Sequence, residues 1–198
     1  MQMTLILASK SETRAKLLTN ANVDFACKKP NIDEENLKMY FLLNGTDVSK
    51  ISGKLADSKA KKINLESPSA FVIGCDQTLI FKTKLLSKVK ERSDVINRLY
   101  QLNNCEHHLY TSAVIYFENN PIWRVTKKAK LRMKNNSDAY ITDYVKRNFD
   151  YIVKTTGCYM IEGEGVRLFK YIEGDYFSIL GLPLIQILNF LNARGKIG

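Results

Sequence analysis

Short apolar blocks alternate along this chain with stretches whose apolar residues recur every three or four positions. That alternation predicts strands interleaved with helices. Met3 to Ala8 reads as a first strand. Ser9 and Glu12 then fit a capping box that opens a helix carrying Arg14, Leu17, Leu18 and Ala21. Val23 to Lys28 reads as a second strand and Pro30 to Glu34 as an acidic loop. After the breaker Asn44-Gly45-Thr46, Asp47 to Leu65 reads as a long helix. Its Ile51, Leu55, Lys59 and Ile63 recur at i, i+4 steps, which puts Lys59 on the apolar stripe. Ala70 to Cys75 is almost wholly apolar and predicts a strand buried on both faces. It delivers Asp76 at its C-terminal end.

Leu79 to Leu86 predicts a hairpin around Lys82-Thr83-Lys84. Ser93 or Asp94 caps a helix with Val95, Ile96, Leu99, Tyr100 and Leu102. His108 to Phe117 alternates as a long strand, Asn119-Asn120-Pro121 turns, and Ile122 to Met133 returns as its partner. Ser137-Asp138 caps a helix with Ile141, Tyr144 and Val145. Phe149 to Thr156 reads as a connector, followed by a glycine-punctuated stretch from Gly157 to Glu164 that holds Glu162. Val166 to Ile172 is a strand. A loop from Gly174-Asp175 leads to a last helix with Pro183 in its first turn, Leu184, Ile187, Leu188 and Leu191 as its buried stripe, and Gly195 as its stop. Neither a repeat nor a low-complexity linker interrupts this order. The fold class is α/β with a mixed sheet.

Composition narrows the function classes. The 198 residues, 45% hydrophobic, suit one large domain or two small lobes sharing a core. A chain of this size buries roughly 70% of its unfolded surface, so it needs no staples. Cys27, Cys75, Cys105 and Cys158 make no Cys-x-x-Cys pair, which argues against a zinc site or disulfide framework. The only histidines, His107 and His108, are adjacent and would point to opposite faces of a strand. The first strand lacks the charged flank and cleavage site of a signal peptide, and no apolar run reaches membrane-spanning length. The expectation is a soluble cytoplasmic protein without membrane contact. Net charge is +10, but the lysines are spread rather than gathered. That admits general attraction to polyanions and argues against sequence-specific nucleic-acid binding.

Candidate chemistry sits at element ends. A serine-rich turn leading into a helix N-terminus can hold phosphate through free N–H groups, and Arg14 could add a fork of donors. A plain capped helix with a solvated arginine fits the same residues. Asp33 and Glu34 could hold a divalent ion or merely solvate a loop. Lys59 could snorkel to the edge of its helix or aim into a cleft. Asp76 could bind a metal, act as a base, or close a turn.

Several segments, in this order, resemble the Maf family of nucleotide pyrophosphatases. They are Leu7-Ala-Ser-Lys-Ser-Glu-Thr-Arg14, Ile32-Asp-Glu34, Lys59-Ala60, Gly74-Cys-Asp76, Gly157-Cys-Tyr159, Glu162-Gly163, Glu173-Gly-Asp175 and Gly181-Leu-Pro-Leu184. The resemblance spans nearly the whole chain. It implies a Maf/ITPase-like mixed twisted sheet flanked by helices, in one domain over 1–198 whose two lobes share a central nucleotide cleft. It implies hydrolysis of the α–β phosphoanhydride of a nucleoside triphosphate, with Asp76 as proton acceptor or as a metal-held orienter of water. Glu34 and Asp76 would hold a divalent cation, Mg²⁺ or Mn²⁺, and Ser9, Arg14, Lys59 and Lys88 would bind the triphosphate. Thr13, Gln77 and Glu162 would set base choice.

Asp76-Gln77 and Glu162-Gly163 look like the branch that hydrolyses 7-methyl-GTP in a house-cleaning role. Glu12 and Thr13 depart from that pattern, since the family has Pro at the first position and this branch Trp at the second. Lys88-Val89 stands where the family has Lys-Pro. The alternatives are a dTTP/UTP pyrophosphatase and a non-catalytic nucleotide or nucleic-acid binder regulating cell division. The resemblance also implies a homodimer.

Overall fold

Among the described residues, the apolar blocks form a mixed seven-stranded sheet and the helical patterns form seven α-helices. The computed structural model describes residues 4–195. Met3, which the pattern assigns to the first strand, lies outside them. The chain divides into two compact units. Among the described residues, the first comprises 4–77, 110–127 and 175–195, and the second 78–109 and 128–174.

The first unit starts with β1 (Leu5–Ala8) and α1 (Glu12–Asn20). The cap of α1 is Ser11, whose side chain accepts from the Arg14 N–H. The predicted Ser9–Glu12 box does not form, because the Ser9 hydroxyl is taken by the Ser11 N–H at 3.1 Å. β2 shrinks to Ala26–Cys27. α2 (Glu34–Leu43) occupies what reads in sequence as the end of a loop and the run before a breaker. α3 (Ile51–Glu66) follows a short 3₁₀ turn, Val48–Lys50, which is capped by Asp47.

β3 (Phe71–Phe81) runs well beyond the apolar block, so Asp76 sits mid-strand rather than at a strand end. β1 lies parallel to both β2 and β3. Next along the sheet come the first-unit parts of β5 (Glu106–Phe117) and β6 (Asn120–Met133). These two strands are joined at Glu118-Asn119, both with positive φ, as a tight hairpin requires. One sheet face packs on α1 and on α7 (Leu184–Ala193), through Leu7, Leu18, Ile73, Ile115, Ile187 and Leu191. Each such buried side chain contributes about 1.5–3 kcal/mol. Pro183 is the cap of α7 rather than a first-turn residue. On the other face, Ile6, Ala8, Val72 and Val114 meet Ala56, Ala60 and Ile63 of α3.

In the second unit, β3 pairs antiparallel with β4 (Lys84–Leu86), which is the predicted hairpin. α4 (Arg92–Leu102) packs on α5 (Asp138–Ile152), and Val95 and Leu99 of the one and Ile141 and Val145 of the other are buried. Neither Ser93 nor Asp94 caps α4, since Glu91 stands at the cap without a side-chain bond. Ser137 does cap α5, and that helix absorbs the first part of the predicted connector. The last predicted strand splits into a 3₁₀ turn, Glu164–Leu168, and β7 (Phe169–Glu173), which pairs antiparallel with β6. α6 (Tyr176–Ile179), one turn capped by Asp175, belongs to the first unit. No helix among the described residues is long and apolar enough to cross a membrane.

Candidate functional site

The site in the first unit begins with a missing side chain. A Cβ on Gly74 would lie 2.1 Å from the Ala56 carbonyl oxygen and 2.7 Å from the Ala60 Cβ. Glycine on β3 and alanines on α3 therefore let helix and strand approach closely. Lys59 precedes Ala60, and Asp76 lies two residues beyond Gly74 on the same strand face. Close packing brings the two together. Lys59 Nζ donates to Asp76 Oδ1 at 2.6 Å, and each residue is only 5% exposed. Glu34 Oε1 lies 3.1 Å from the same ammonium. Lys59 thus joins two carboxylates contributed by different elements.

The adjacent acids Asp33 and Glu34 separate in role. Asp33 caps α2, accepting from the Asn36 N–H at 3.1 Å, and so leaves Glu34 in the first turn for Lys59. Burial alone would raise the Glu34 pKa. The charge and hydrogen bond of Lys59, with the charges of Lys38 and Arg14, outweigh burial and hold it below the usual carboxylate value. Glu34 is therefore ionised at neutral pH.

Arg14 is fixed by backbone carbonyls. Its Nε donates to the Gly181 carbonyl at 2.7 Å, and its Nη1 donates to the Cys75 carbonyl at 2.9 Å and to Ser9 Oγ at 3.4 Å. Gly181 has φ +105, a conformation that side chains strain to adopt, and its carbonyl also accepts from the Cys75 thiol at 3.0 Å. Burial pushes that thiol's pKa up. The Nη2 amino group of Arg14 makes no hydrogen bond among the described residues, which leaves two donors for an anion.

Gln77 points away from Asp76, as adjacent strand residues do. Its Nε2 donates to Thr111 Oγ1 at 2.8 Å and to the Ser178 and Ile179 carbonyls at 2.9 and 3.0 Å. Carbonyls only accept, so this environment fixes the amide orientation and leaves Oε1 as the remaining acceptor. Asp175 makes the arrangement possible. It caps α6 by accepting from the Ser178 N–H at 2.8 Å, and the α6 carbonyls then hold Gln77.

The structure therefore gathers Glu34, Lys59 and Asp76, and separately Ser9 with Arg14, within one unit. Thr13 is half-buried in the first turn of α1. Lys88 and Glu162 belong to the second unit. Lys88 is exposed between β4 and α4, and Glu162 is exposed in the turn before the 3₁₀ segment. Sequence reasoning overlooked Ser11, Thr111 and the Gly181 carbonyl. A serine three residues before Arg14 is a readable cap, whereas Thr111 and the carbonyl act only through tertiary contacts.

Glu34 and Asp76 fit a hard divalent ion. Mg²⁺ takes one or two carboxylates and fills its shell with water and substrate phosphate. No group of three or more His, Cys, Asp or Glu side chains suited to a metal forms among the described residues, so any such site would be of this sparse kind.

The family model described as Maf-like protein matches residues 4–194. This chain belongs to that family. It is 46% identical over 98% of its length to a protein of Roseobacter denitrificans, and 45% identical over its whole length to one of Ruegeria pomeroyi. Both are called nucleoside triphosphate pyrophosphatase and are covered over 97% and 99% of their lengths. A Brucella abortus protein called 7-methyl-GTP pyrophosphatase is 33% identical over 95% of this chain and 94% of its own.

Proposed function

We propose that this Maf-family chain is a nucleoside triphosphate pyrophosphatase and that 7-methyl-GTP is its preferred substrate. The observation that carries the reaction is the buried Lys59 ammonium held between Asp76 and Glu34. Splitting an α–β phosphoanhydride needs an aligned water and compensation of phosphate charge. Asp76 takes the water's proton or holds the water in line. Glu34 and Asp76 would hold Mg²⁺ or Mn²⁺, which would neutralise phosphate charge when bound. Ser9, Arg14 and Lys59 receive the triphosphate, and the family resemblance assigns Lys88 the same task.

The base preference rests on acceptors. Gln77 spends its amino group on Thr111 and α6, so only Oε1 is left to meet a base. The resemblance assigns Glu162, a second acceptor with a negative charge. Methylated guanine offers N1–H and amino donors and carries positive charge. Thymine and uracil offer one ring N–H and two carbonyls. Two acceptors therefore suit the former better. Thr13 gives the base no aromatic face, so recognition relies on these polar groups.

Purified protein with Mg²⁺ is tested for pyrophosphate release from 7-methyl-GTP, GTP, dTTP and UTP. We expect the highest kcat/KM on 7-methyl-GTP. Highest activity on dTTP or UTP would move the substrate to the family's other branch, and inertness to the whole panel would overturn the enzymatic reading. Glu162→Gln should narrow the preference for 7-methyl-GTP, and an unchanged ranking removes Glu162 from base choice.

A further inference from the structure

Within the second unit, α4 places an arginine on its apolar face. Arg98 follows Val95 by three residues and precedes Leu102 by four, and all three are buried. No ion pair among the described residues includes Arg98. Its Nη1 instead donates to the Ser87 carbonyl at 3.0 Å and to the Thr156 carbonyl at 2.7 Å, while its Nε is buried without a partner. A buried cation without a carboxylate costs stability, and a leucine at this position would complete the α4 stripe. The two carbonyls are far apart in sequence. Ser87 directly precedes Lys88. Thr156 directly precedes the Gly157–Glu164 stretch that holds Glu162.

We propose that Arg98 is a positioning residue that ties together the two segments bearing Lys88 and Glu162, and so sets how those two groups are placed relative to each other. One guanidinium nitrogen fixes both carbonyls at once, so neither segment shifts without the other. The part concerning substrate rests on the reading of Lys88 and Glu162 as nucleotide-binding groups. The part concerning geometry does not.

The test uses full-length Arg98→Met and Arg98→Lys proteins, with two readouts. Amide hydrogen exchange followed by mass spectrometry reports residues 85–91 and 154–163. We expect both segments to lose protection together in Arg98→Met and to regain it in Arg98→Lys, whose ammonium can still donate to both carbonyls. Loosening of one segment alone, or of neither, overturns the tie. This readout is independent of activity. Kinetics on the best substrate of the panel supplies the second readout. Arg98→Met should raise KM about tenfold with a smaller change in kcat, and its effect should shrink when Lys88→Met is already present. Joint loosening with unchanged KM, or effects that simply add, overturns the positioning role and leaves the pyrophosphatase reading intact. A wild-type protein inert on every triphosphate overturns that reading and the substrate part of this proposal, and exchange then decides the tie alone.

Discussion

At the residue scale one buried lysine serves two carboxylates. Asp76 and Lys59 are nearly fully buried, and removing one partner strands the other's charge. Breaking such a pair costs about 3–5 kcal/mol. Lys59→Met should therefore lower the melting temperature by roughly 10 °C, read by calorimetry. Asp76→Asn is milder, because the amide oxygen still accepts from Lys59 and Glu34 keeps its ion pair. Its main effect should be kinetic, a fall in kcat of about 10²–10⁴ in pyrophosphate release, as loss of a general base entails. A protein that melts normally and keeps its rate within tenfold would remove Asp76 from proton transfer. Asp76, Lys59, Glu34 and Arg14 could all be picked out of the sequence, each as one of several readings. Their bonding could not, because it depends on how closely α3 approaches β3.

That approach is a property of elements, and two glycines test it. At Gly74 an added methyl meets backbone atoms of α3 at 2.1–2.7 Å, so helix and strand must part. Gly74→Ala should destabilise by about 1–3 kcal/mol and displace Lys59 from Asp76, with activity falling further than stability. At Gly53, inside α3, the nearest atom to an added methyl is Ser112 Oγ at 3.7 Å, ordinary contact. Gly53→Ala should stabilise by up to about 1 kcal/mol through helix propensity. Urea unfolding and pyrophosphate release read both variants, and equal signs would refute the close-packing account.

The same scale explains what the sequence hid. α2 has no buried residue, and its Tyr40 and Leu43 stand 60% and 80% exposed, so its apolar positions trace no face to read. Only the Asp33 cap announces it. In the sequence β3 reads as ending at Cys75 because polar residues follow. It continues because Lys59 neutralises Asp76 and three acceptors take the Gln77 amide. The hairpins and the α5 and α7 stripes were legible because their patterns are local. The glycine motifs were legible as motifs, while their purposes became visible only in contact. Gly74 admits α3, Gly181 turns its carbonyl to Arg14, and Asp175 shapes the turn that holds Gln77.

At the scale of the whole molecule, charge and buried titratable groups act in the same direction as pH falls. The chain carries +10 at pH 7 and gains positive charge as its carboxylates protonate, which disfavours the compact state. His107 adds a separate contribution. It lies fully buried, bonded to the Tyr159 hydroxyl at 2.8 Å, with Nδ1 lacking a partner. Burial, and then the neighbouring His108, hold its pKa down at about 4, against an ordinary value of 6.5. Below the ordinary value the unfolded chain binds this proton and the native protein does not. Stability is therefore lost as pH falls from 6.5 to 4, by at most about 3 kcal/mol. The carboxylates Glu34 and Glu164, held below their ordinary values, lose their contribution only at lower pH, as their folded pKa values are crossed. Salt tells the two effects apart, since it screens surface repulsion but leaves the desolvation of a buried imidazole nearly unchanged. Urea unfolding at pH 7, 5.5 and 4.5 should show a decline that persists in high salt. In His107→Gln, which keeps a nitrogen for Tyr159 but cannot titrate, that salt-resistant decline should flatten. A variant that retains the full salt-resistant slope would place its origin in another group.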